Sequence, residues 1–571
     1  MLLIALKLQL AALVSVAGIN TDDITSPGVK DALSKLEAIS KEGNSGKTDV
    51  NQASTEAVKA VAALSEKGDK DAEYAMAVWS RIGILNGANA QQLLDWYTKA
   101  ADQGQIAAKA ELGSLLISNF PQDAEKVVKG VKYIQDAEAA NNAGARRALA
   151  QLTLVGVPAA KLDRSVDNAL KLYEKGRSTK DGESTFALAQ IYSLGIQERT
   201  GEDTPKTLLA KDEAKGQALL EESASQGYPP AMSQLAERLL NGDGKVKADP
   251  ERAMKILNDA AGKGSAAAER QLGTIYEGGL GGQTKNMDEA AKHYAAAAKG
   301  NDGVAQLWLG NAAQNGLLSQ KGVTKVNAAT PDKKATLEAE DVLIQPNPSA
   351  ALSWYRLAAQ NNVPQAIFNV GLFYENGAVV DKDPAKAFSL VQRAAQASIP
   401  QAQFKLGTYY QNGVGVAQDV VAAAGWYQRA AEAKLPQAQL VYGAMLETGT
   451  GMPKSLPAAQ VQYEEAANAG LPDAMVSLAS LYFRGGDNMT PNKARAWVYA
   501  SMAVDATKES PKAIEIRKAI EDKMTDAEKA EGKKLYDAAK AKNTGASAPA
   551  ATAPAATPEK PATGTKKKAA K

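Results

Sequence analysis

A short pattern that recurs every 36 residues constrains the fold of this 571-residue chain more than any other feature of its sequence. Pro-Gln-Ala or Pro-Asp-Ala begins at Pro364, Pro400, Pro436 and Pro472. Related segments start near residues 72, 108, 145, 184, 231, 268 and 305, which gives about eleven copies. Self-similarity at such a period is typical of solenoids, because each small unit can bury its apolar face only against its neighbours.

In its fullest copies, the pattern predicts a first helix that begins at a proline and ends at a glycine. Leu406 and Tyr410 are four residues apart and therefore lie on one helix face. Gly407 lies on that face too, where its missing side chain lets a neighbouring backbone come close. Pro400 suits the first helical position because its absent N–H is not needed there, and Gly413 supplies the left-handed C-cap.

A second helix follows in each copy. Asp249, Asn347 and Asp383 each precede a proline, so an N-cap acceptor stands directly before the first helical residue. The helix then carries an aromatic pair and an alanine pair, as in Trp354-Tyr355 and Ala358-Ala359. Large residues fill the space between the helices while the alanines allow close contact. Each copy therefore predicts an αα-hairpin that must stack on its neighbours.

Residues 402–431 carry the pattern in its fullest form: Ala-x3-Leu-Gly-x2-Tyr-x2-Gly-x-Gly-Val, then Asp419, then Trp-Tyr-x2-Ala-Ala. This pattern resembles the Sel1-like repeat, a relative of the tetratricopeptide repeat, and the resemblance covers about residues 72–503. It implies an all-α, right-handed superhelical solenoid of about eleven stacked αα-hairpin repeats. Copies before residue 230 lack the Gly-x-Gly-Val loop. The chain has no Cys, so the disulfide that staples each repeat in some secreted members cannot form.

Two insertions, near residues 197–209 and 317–347, break the period inside the predicted solenoid of residues 72–503. Long loops in a compact solenoid are either functional or mobile. In the longer insertion, Val342-Leu343-Ile344 follows an acidic stretch. We expect this segment to pack on the solenoid, with a docking segment for a partner as the alternative.

Both ends of a solenoid need caps with a polar outer surface. Residues 18–71 are predicted to form an N-terminal helical cap and residues 504–543 to form C-terminal capping helices. Ser510-Pro511 starts the first of these C-terminal helices. Thr525 and Glu528 form a capping box at the start of the second.

Residues 1–17, MLLIALKLQLAALVSVA, have the pattern of a secretory signal peptide with Ser15-Val16-Ala17 as the cleavage site. An uncleaved anchor, an ordinary helix or a misplaced start are the alternatives. Lys7 interrupts the apolar stretch, which is short for a membrane span, so we expect no span in the mature chain.

Residues 544–571 form an Ala/Pro/Thr-rich tract with a lysine cluster, which predicts a disordered tail. Contact of this tail with an anionic surface or nucleic acid is the alternative. The formal net charge of +2 includes five lysines and one glutamate of the tail, so the rest of the chain carries about −2. We therefore expect no nucleic-acid binding by the folded body.

The side-chain inventory excludes several kinds of site. Without Cys there is no thiol nucleophile and no Cys-ligated metal, and a single His excludes a multi-histidine metal site. His293 occupies the slot that holds Trp354 and Trp426 in other copies, so we predict a packing residue, with a catalytic imidazole as the alternative. No catalytic, cofactor-binding or metal-binding residue is nominated.

Other local patterns have structural explanations. Residues 448–455 invite comparison with a phosphate loop, but Met452-Pro453 interrupts it, so we predict an inter-helix turn. The glycines at 242–244 and 278–282 are predicted to form the equivalent turns in other copies. The recurring aromatic residues are predicted to be core residues: Trp79, Trp96, Trp308, Trp354, Trp426 and Tyr427.

These observations favour a non-enzymatic scaffold that binds a protein or peptide in the concave groove of the solenoid. The resemblance implies adaptor roles in assemblies, in signalling and in the bacterial envelope. With a signal peptide, we expect a periplasmic or secreted monomer; the sequence identifies neither the partner nor the contact residues. The alternative is an envelope carbohydrate- or peptide-active enzyme that uses Asp and Glu in the groove, but the sequence offers no off-pattern acid pair.

Overall fold

The fold is taken from a computed structural model of the chain. The structure describes residues 19, 24–42, 50–81, 89–198, 206–242, 246–316, 324–327, 336–339, 346–486, 489–508 and 510–543. The predicted signal peptide of residues 1–17, the tail of residues 544–571 and the Val342-Leu343-Ile344 segment lie outside the described residues. The chain divides into two compact units, Met1–Val363 and Pro364–Lys571, which we call the N-terminal and C-terminal units.

The described part of the N-terminal unit contains a leading helix pair and seven tandem helix pairs, each pair packed as a hairpin. The helices of this unit are α1 Pro27–Glu42, α2 Val50–Glu66, α3 Lys70–Arg81, α4 Ala90–Asp102, α5 Ile106–Asn119, α6 Ala124–Ala139, α7 Ala143–Val155, α8 Val166–Ser178, α9 Gly182–Leu194, α10 Glu213–Ser225, α11 Pro229–Asn241, α12 Pro250–Gly262, α13 Ala266–Gly278, α14 Met287–Lys299, α15 Gly303–Asn315 and α16 Pro348–Gln360.

The described part of the C-terminal unit contains four further hairpins and two closing helices. Its helices are α17 Pro364–Asn376, α18 Pro384–Gln396, α19 Pro400–Asn412, α20 Val420–Glu432, α21 Pro436–Thr448, α22 Leu456–Asn468, α23 Pro472–Arg484, α24 Lys493–Ala506, α25 Pro511–Glu521 and α26 Asp526–Asn543. The eleven hairpins from α3 to α24 confirm the all-α solenoid of stacked repeats. We call the two helices of each of these hairpins its first and second helix.

The predicted helix boundaries follow from side-chain capping. The side chains of Asp249, Asn347 and Asp383 each accept a hydrogen bond from the backbone N–H three residues on, at 3.0, 3.0 and 2.9 Å. A proline stands at the first position of each of these second helices. Gly413 closes α19 in the left-handed conformation with φ of 70°, as predicted.

Inside four hairpins, a glycine of the first helix faces a tyrosine ring of the second helix. A Cβ built on Gly407 would lie 2.9 Å from the ring of Tyr427 and 3.2 Å from the carbonyl oxygen of Ala423. A Cβ built on Gly443 would lie 2.8 Å from the ring of Tyr463. The sequence predicted that the missing side chain would admit a neighbouring backbone, but here it mainly admits an aromatic ring.

The leading helices α1 and α2 cover the first repeat. Residues 24–26 are held at the start of α3, where the backbone N–H groups of Thr25 and Ser26 donate to Asp71 Oδ2 at 2.6 and 2.7 Å. Ile19 and Ile24 are buried in the same apolar cluster. This part of the chain therefore closes the N-terminal end of the stack.

The C-terminal end is closed by α25 and α26, both of which pack on α24. The backbone N–H of Thr525 donates to Glu528 Oε2 at 2.7 Å, and the N–H of Glu528 donates to Thr525 Oγ1 at 3.3 Å. This reciprocal pair is the predicted capping box.

Each insertion contains a short antiparallel strand pair, which the sequence did not predict. Ile196–Glu198 (β1) pairs with Lys206–Leu209 (β2), and Thr324–Asn327 (β3) pairs with Thr336–Ala339 (β4). Among the described residues, no helix combines the length and the hydropathy that a membrane crossing requires.

Candidate interaction surface

Each first helix leaves one stripe of side chains turned away from its own hairpin partner. If the first residue of each first helix is position 1, the stripe consists of positions 2, 6, 9 and 13, which share one side of an α-helix. In α19 these are Gln401, Lys405, Thr408 and Asn412, which are exposed or half-buried. We call this stripe the first-helix face, and we describe it separately in each unit, over the first helices from α5 to α15 and over those from α17 to α23.

The first-helix face carries few charges. Its uncharged members in the C-terminal unit are Gln365, Asn369, Leu372, Asn376, Gln401, Thr408, Asn412, Gln437, Val441, Ala444, Thr448, Ser477 and Ser480. Its charged members over both units are Glu111, Glu183, Glu237, Lys405, Asp473 and Arg484. Four of these six are held in ion pairs within their own unit: Glu111 with Arg81, Glu183 with Arg147, Lys405 with Glu375, and Arg484 with Glu447. The face therefore presents mainly amide, hydroxyl and small side chains.

The exposed surface of the second helices has the opposite character. Arg177 of α8 binds Glu222 of α10 through Nη2 at 2.8 Å, and Lys175 of α8 lies 2.6 Å from Glu138 of α6. Other ion pairs join residues within one second helix, such as Lys171 with Asp167 at 2.7 Å. We call this exposed surface the second-helix face. In the N-terminal unit, many polar groups of this face are charged and pair with one another.

In the N-terminal unit, first helices of successive repeats also pack on each other, α5 on α7 and α11 on α13. Among the described residues of this unit, no two second helices of successive repeats pack on each other to the same extent. The first helices therefore form the more closely packed side of this stack. The sequence predicted a binding groove on the concave side of the solenoid without assigning that side to the first or the second helices.

Carboxylate and amide oxygens of the first helices accept hydrogen bonds from buried tyrosines. At position 12 of four first helices, Glu277, Gln314, Gln411 and Glu447 accept the hydroxyl protons of Tyr294, Tyr355, Tyr427 and Tyr463 at 2.7, 2.7, 2.6 and 2.8 Å. Burial, together with the adjacent Glu447 carboxylate, raises the pKa of the Tyr463 hydroxyl above its ordinary value. The tyrosine hydroxyl therefore stays protonated at neutral pH and donates a hydrogen bond. These four hydrogen bonds join the two helices of each hairpin.

The two most deeply buried carboxylates also have structural partners. Asp71 binds residues 25 and 26 as described above, and Glu73 accepts a hydrogen bond from the Gln103 side chain at 2.8 Å. Burial raises the pKa of Glu73 above its ordinary value, although Lys99 lowers it in part. In the described portion of the chain, no group of three or more His, Asp and Glu side chains is arranged to hold a metal ion.

A surface cavity of about 300 Å³ lies at the C-terminal cap, between α23, α24 and α26. Met475, Met502, Ala506 and Ala539 give it an apolar lining, and Asp505, Tyr536 and Lys540 stand at its edge. Its volume is at the lower end of the range for small-molecule sites. The first-helix face is therefore the larger candidate surface.

The family model of the Sel1 repeat matches residues 70–105, 183–228, 229–265, 266–302, 341–363, 364–398, 400–435, 436–471 and 472–507, more than half of the chain. The chain belongs to the Sel1 repeat family. Proteins built from Sel1 repeats are generally protein-interaction scaffolds and generally non-enzymatic. The hairpins α5–α6 and α7–α8 have no match to the model, yet they stack as Sel1 repeats do in this structure.

The chain is similar to solved structures of repeat proteins, the first of which supports the fold. The protective antigen c5321 from uropathogenic Escherichia coli, which displays a Sel1-like repeat fold, is 20% identical with a TM-score of 0.51, over 87% of this chain and 99% of that one. A Sel1 repeat protein from Oxalobacter formigenes is 24% identical with a TM-score of 0.39, over 65% of this chain and 93% of that one. No curated protein sequence matches the chain closely enough to count as a relative.

His293, the single histidine, lies in the second helix of the Sel1 repeat α13–α14. Its Nδ1 is 2.7 Å from Glu269 Oε2, and its ring stacks on Tyr276 with centroids 5.4 Å apart and planes at 2°. The imidazole therefore packs between neighbouring helices, which is the role that the sequence predicted for it.

The predicted aromatic core residues divide into two groups. Trp79, Trp354 and Tyr427 are each 2% exposed and lie in the core as predicted. Trp96, Trp308 and Trp426 are only half-buried, so the core prediction is wrong for these three. Trp426 lies under the guanidinium of Arg429 at 4.5 Å. Trp308 occupies position 6 of the first-helix face and donates from Nε1 to Glu277 at 3.0 Å.

The glycine-rich segments are turns, as predicted. Gly449 and Gly451 have φ of 76° and 74°, and Ser455 accepts the N-cap hydrogen bond that starts α22. Gly279, Gly281 and Gly282 form the equivalent turn after α13. Gly242 ends α11, while residues 243 and 244 lie outside the described residues.

The first-helix face was missed by sequence reasoning, which assigned no contact residues. A signal was nevertheless present, because positions 2, 6, 9 and 13 recur with the repeat and seldom carry a charge. What the sequence did not show is that, apart from the buried Ala107, these positions are exposed or half-buried from the second repeat onwards, while the cap buries positions 2, 6 and 9 of the first repeat. Ala75 and Val78, at positions 6 and 9 of α3, are fully buried.

Proposed function

We propose that this chain is a non-enzymatic scaffold that binds an extended segment of a protein or peptide along the first-helix face. The observation that carries the proposal is the recurrence of exposed amide and hydroxyl side chains on the first-helix face, where only six positions carry a charge. We further propose that the protein acts as a monomer in the bacterial envelope or after secretion.

The chemistry of the first-helix face suits a polypeptide backbone. Asn and Gln side chains offer both a donor and an acceptor, so they can pair with peptide N–H and C=O groups without regard to sequence. Burying uncharged groups avoids the cost of desolvating unpaired charges, and the cores of protein interfaces are depleted of charge for this reason. Gln401 and Gln437, one repeat apart at position 2, are both exposed and available for such contacts.

Export is supported by the signal-peptide pattern of residues 1–17 and by where the fold begins. Ile19 and Ile24 are buried, whereas the predicted cleavage site lies before both of them. Cleavage after Ala17 would therefore keep every described contact of the N-terminal cap. Fractionation of cells that produce the native protein tests the compartment, and recovery of the uncleaved chain in the cytoplasm would contradict it.

The binding proposal is tested by placing charges on each face in turn. Gln401→Lys with Gln437→Lys changes the first-helix face, and Gln396→Lys with Gln428→Lys makes the same change at exposed sites of second helices. Proteins captured from an envelope extract by the wild type are compared with those captured by the two variants.

We expect the first-helix variant to lose a specific captured protein that the second-helix variant retains. Equal capture by both variants would contradict the assignment of the face. Absence of any captured protein, together with turnover of an envelope glycan or peptide by the wild type, would contradict the scaffold itself.

A further inference from the structure

Two neighbouring repeats depart from the rest of the first-helix face in the same way. At position 13, the other first helices from α5 to α23 carry Ser118, Asn241, Gly278, Asn315, Asn376, Asn412, Thr448 and Arg484. The helices α7 and α9 instead carry Val155 and Leu194, which are 68% and 77% exposed. Leu194 is the most exposed large apolar residue in the part of the chain that the structure describes. Two exposed aliphatic residues at the same position of adjacent repeats distinguish this part of the first-helix face from the rest of it.

The remainder of the stripe is also duplicated in these two helices. Position 6 is Ala148 or Ala187, which are half-buried, and position 9 is Gln151 or Gln190, which are exposed. Among the described residues, neither glutamine has a hydrogen-bond partner. The spacing Ala-x2-Gln-x3-Val/Leu on this face occurs in these two repeats alone of the described first helices. Each of the two repeats thus presents an aliphatic side chain, a free amide and a small alanine that leaves space for a partner's side chain.

The two aliphatic residues belong to one connected surface. Gly156 and Gly195 end the two helices directly after Val155 and Leu194, with φ of 78° and 69°. Arg164, in the loop that follows α7, forms an ion pair with Glu198 of β1, which follows α9. Arg164 Nε also donates to the carbonyl oxygen of Leu154 at 3.0 Å. These contacts join the loop that follows Val155 to the strand that follows Leu194.

Two ion pairs beside this surface neutralise four of the neighbouring charged groups. Arg164 and Glu198 pair with each other, and Glu183, near the opposite end of α9, pairs with Arg147 at 3.0 Å. A charged side chain brought to positions 6, 9 and 13 would lose water without gaining a partner. Aliphatic side chains and neutral peptide groups would meet complementary groups there.

We propose that the stripe formed by Ala148, Gln151, Val155, Ala187, Gln190 and Leu194 docks an extended, uncharged segment of a partner protein. Two aliphatic side chains of this segment contact Val155 and Leu194, and its peptide groups bond to Gln151 and Gln190. The proposal deepens the proposed function and rests on it, since it assigns one part of the first-helix face and the class of segment that this part takes.

The test uses the full-length chain and random linear peptides displayed on phage, with the enriched peptides then titrated as synthetic probes. We expect uncharged peptides that carry two aliphatic residues. Val155→Ser with Leu194→Ser should weaken their binding about tenfold or more, since each change removes an aliphatic contact. Val421→Ser with Val461→Ser, at second-helix sites that are 68% and 49% exposed, is the matched control and should bind as the wild type does. Thermal unfolding by circular dichroism checks that both double variants are folded.

Unchanged binding by the Val155/Leu194 variant, or enrichment of charged peptides, would overturn the inference. If peptide binding is instead lost in the variant with Gln401→Lys and Gln437→Lys, the proposed function stands but the inference about Val155 and Leu194 does not. A smaller sedimentation coefficient of the Val155/Leu194 variant, with peptide binding unchanged, would assign the patch to a second copy of the chain and would also overturn it. If the wild type enriches no peptide at all, both proposals fail.

Discussion

The first-helix and second-helix faces come from the two halves of the same hairpins, yet they use polar residues differently. On the second-helix face, cations and carboxylates of successive repeats pair directly, as Arg177 does with Glu222. On the first-helix face, exposed amides such as Gln401 and Gln437 recur without such pairing. Self-paired charges leave little for a partner to gain, whereas unpaired amides keep their hydrogen-bonding capacity. This difference is the basis of the proposal that a partner binds on the first-helix face.

The largest loss of stability is expected in the first repeat, where the N-terminal cap covers the first-helix side. Asp71 is at position 2 of α3 and is fully buried, and it accepts three hydrogen bonds from Thr25 and Ser26. Asp71→Ala should lower the free energy of unfolding by about 3 kcal/mol, because it removes three hydrogen bonds to a buried carboxylate that tie residues 25 and 26 to α3. Gln401→Ala, at the same position of an exposed helix, should change it by less than about 0.5 kcal/mol. Urea unfolding of both variants measures the difference. Equal losses would contradict the distinction between covered and uncovered positions of the first helices.

The second-largest loss of stability is expected on the side of a first helix that packs against its hairpin partner. Gly407→Leu forces a side chain into the ring of Tyr427, since even a Cβ would lie 2.9 Å from it. We expect a loss of about 2 kcal/mol in urea unfolding, as in other overpacked cores.

Gly425, on the second helix of the same hairpin, is the matched control for Gly407. A Cβ at Gly425 meets nothing within 4 Å. Gly425→Ala should therefore stabilise the protein by up to about 1 kcal/mol through helix propensity. A loss of stability in Gly425→Ala, or none in Gly407→Leu, would contradict this account of the two glycines.

A smaller effect is expected on the second-helix face. Arg177→Met removes a bidentate pair with Glu222 in which both side chains are about one-third exposed, 37% and 34%. We expect a loss of less than about 1 kcal/mol at low ionic strength, falling towards zero at high salt as the charges are screened. Unfolding curves at two salt concentrations measure this, and a loss that does not depend on salt would show that Arg177 acts by packing.

The smallest effect is a pH dependence under the N-terminal cap. Burial raises the pKa of Glu73 in the folded protein, so the ionised side chain costs stability above that pKa, and the cost disappears as the pH falls through it. Glu73→Gln should therefore be more stable than the wild type at neutral pH and equal to it below the ordinary pKa of glutamate. An advantage of the same size at both pH values would point to the hydrogen bond with Gln103 instead.

Much of the repeat could be predicted from sequence because its determinants are local. Pro400, Asp383 and Gly413 act on the helix in which they stand, so their spacing was enough to place the helix boundaries. The partner of Gly407 was not predictable in the same way, because the ring of Tyr427 reaches it from the other helix of the hairpin. Trp426 and Tyr427 illustrate the limit: they are adjacent in sequence, but only Tyr427 turns into the core.

The sequence by itself determined the repeat, its period, the hairpins and their caps, because helix periodicity and capping depend on residues a few positions apart. Only the tertiary structure decided which stripe of each first helix stays exposed, since burial depends on helices far apart in the chain. It bound residues 25 and 26 to Asp71 across about 45 positions and thereby covered the first repeat. It also joined the loop after Val155 to the strand after Leu194 through Arg164 and Glu198, which turned two exposed side chains into one candidate docking surface.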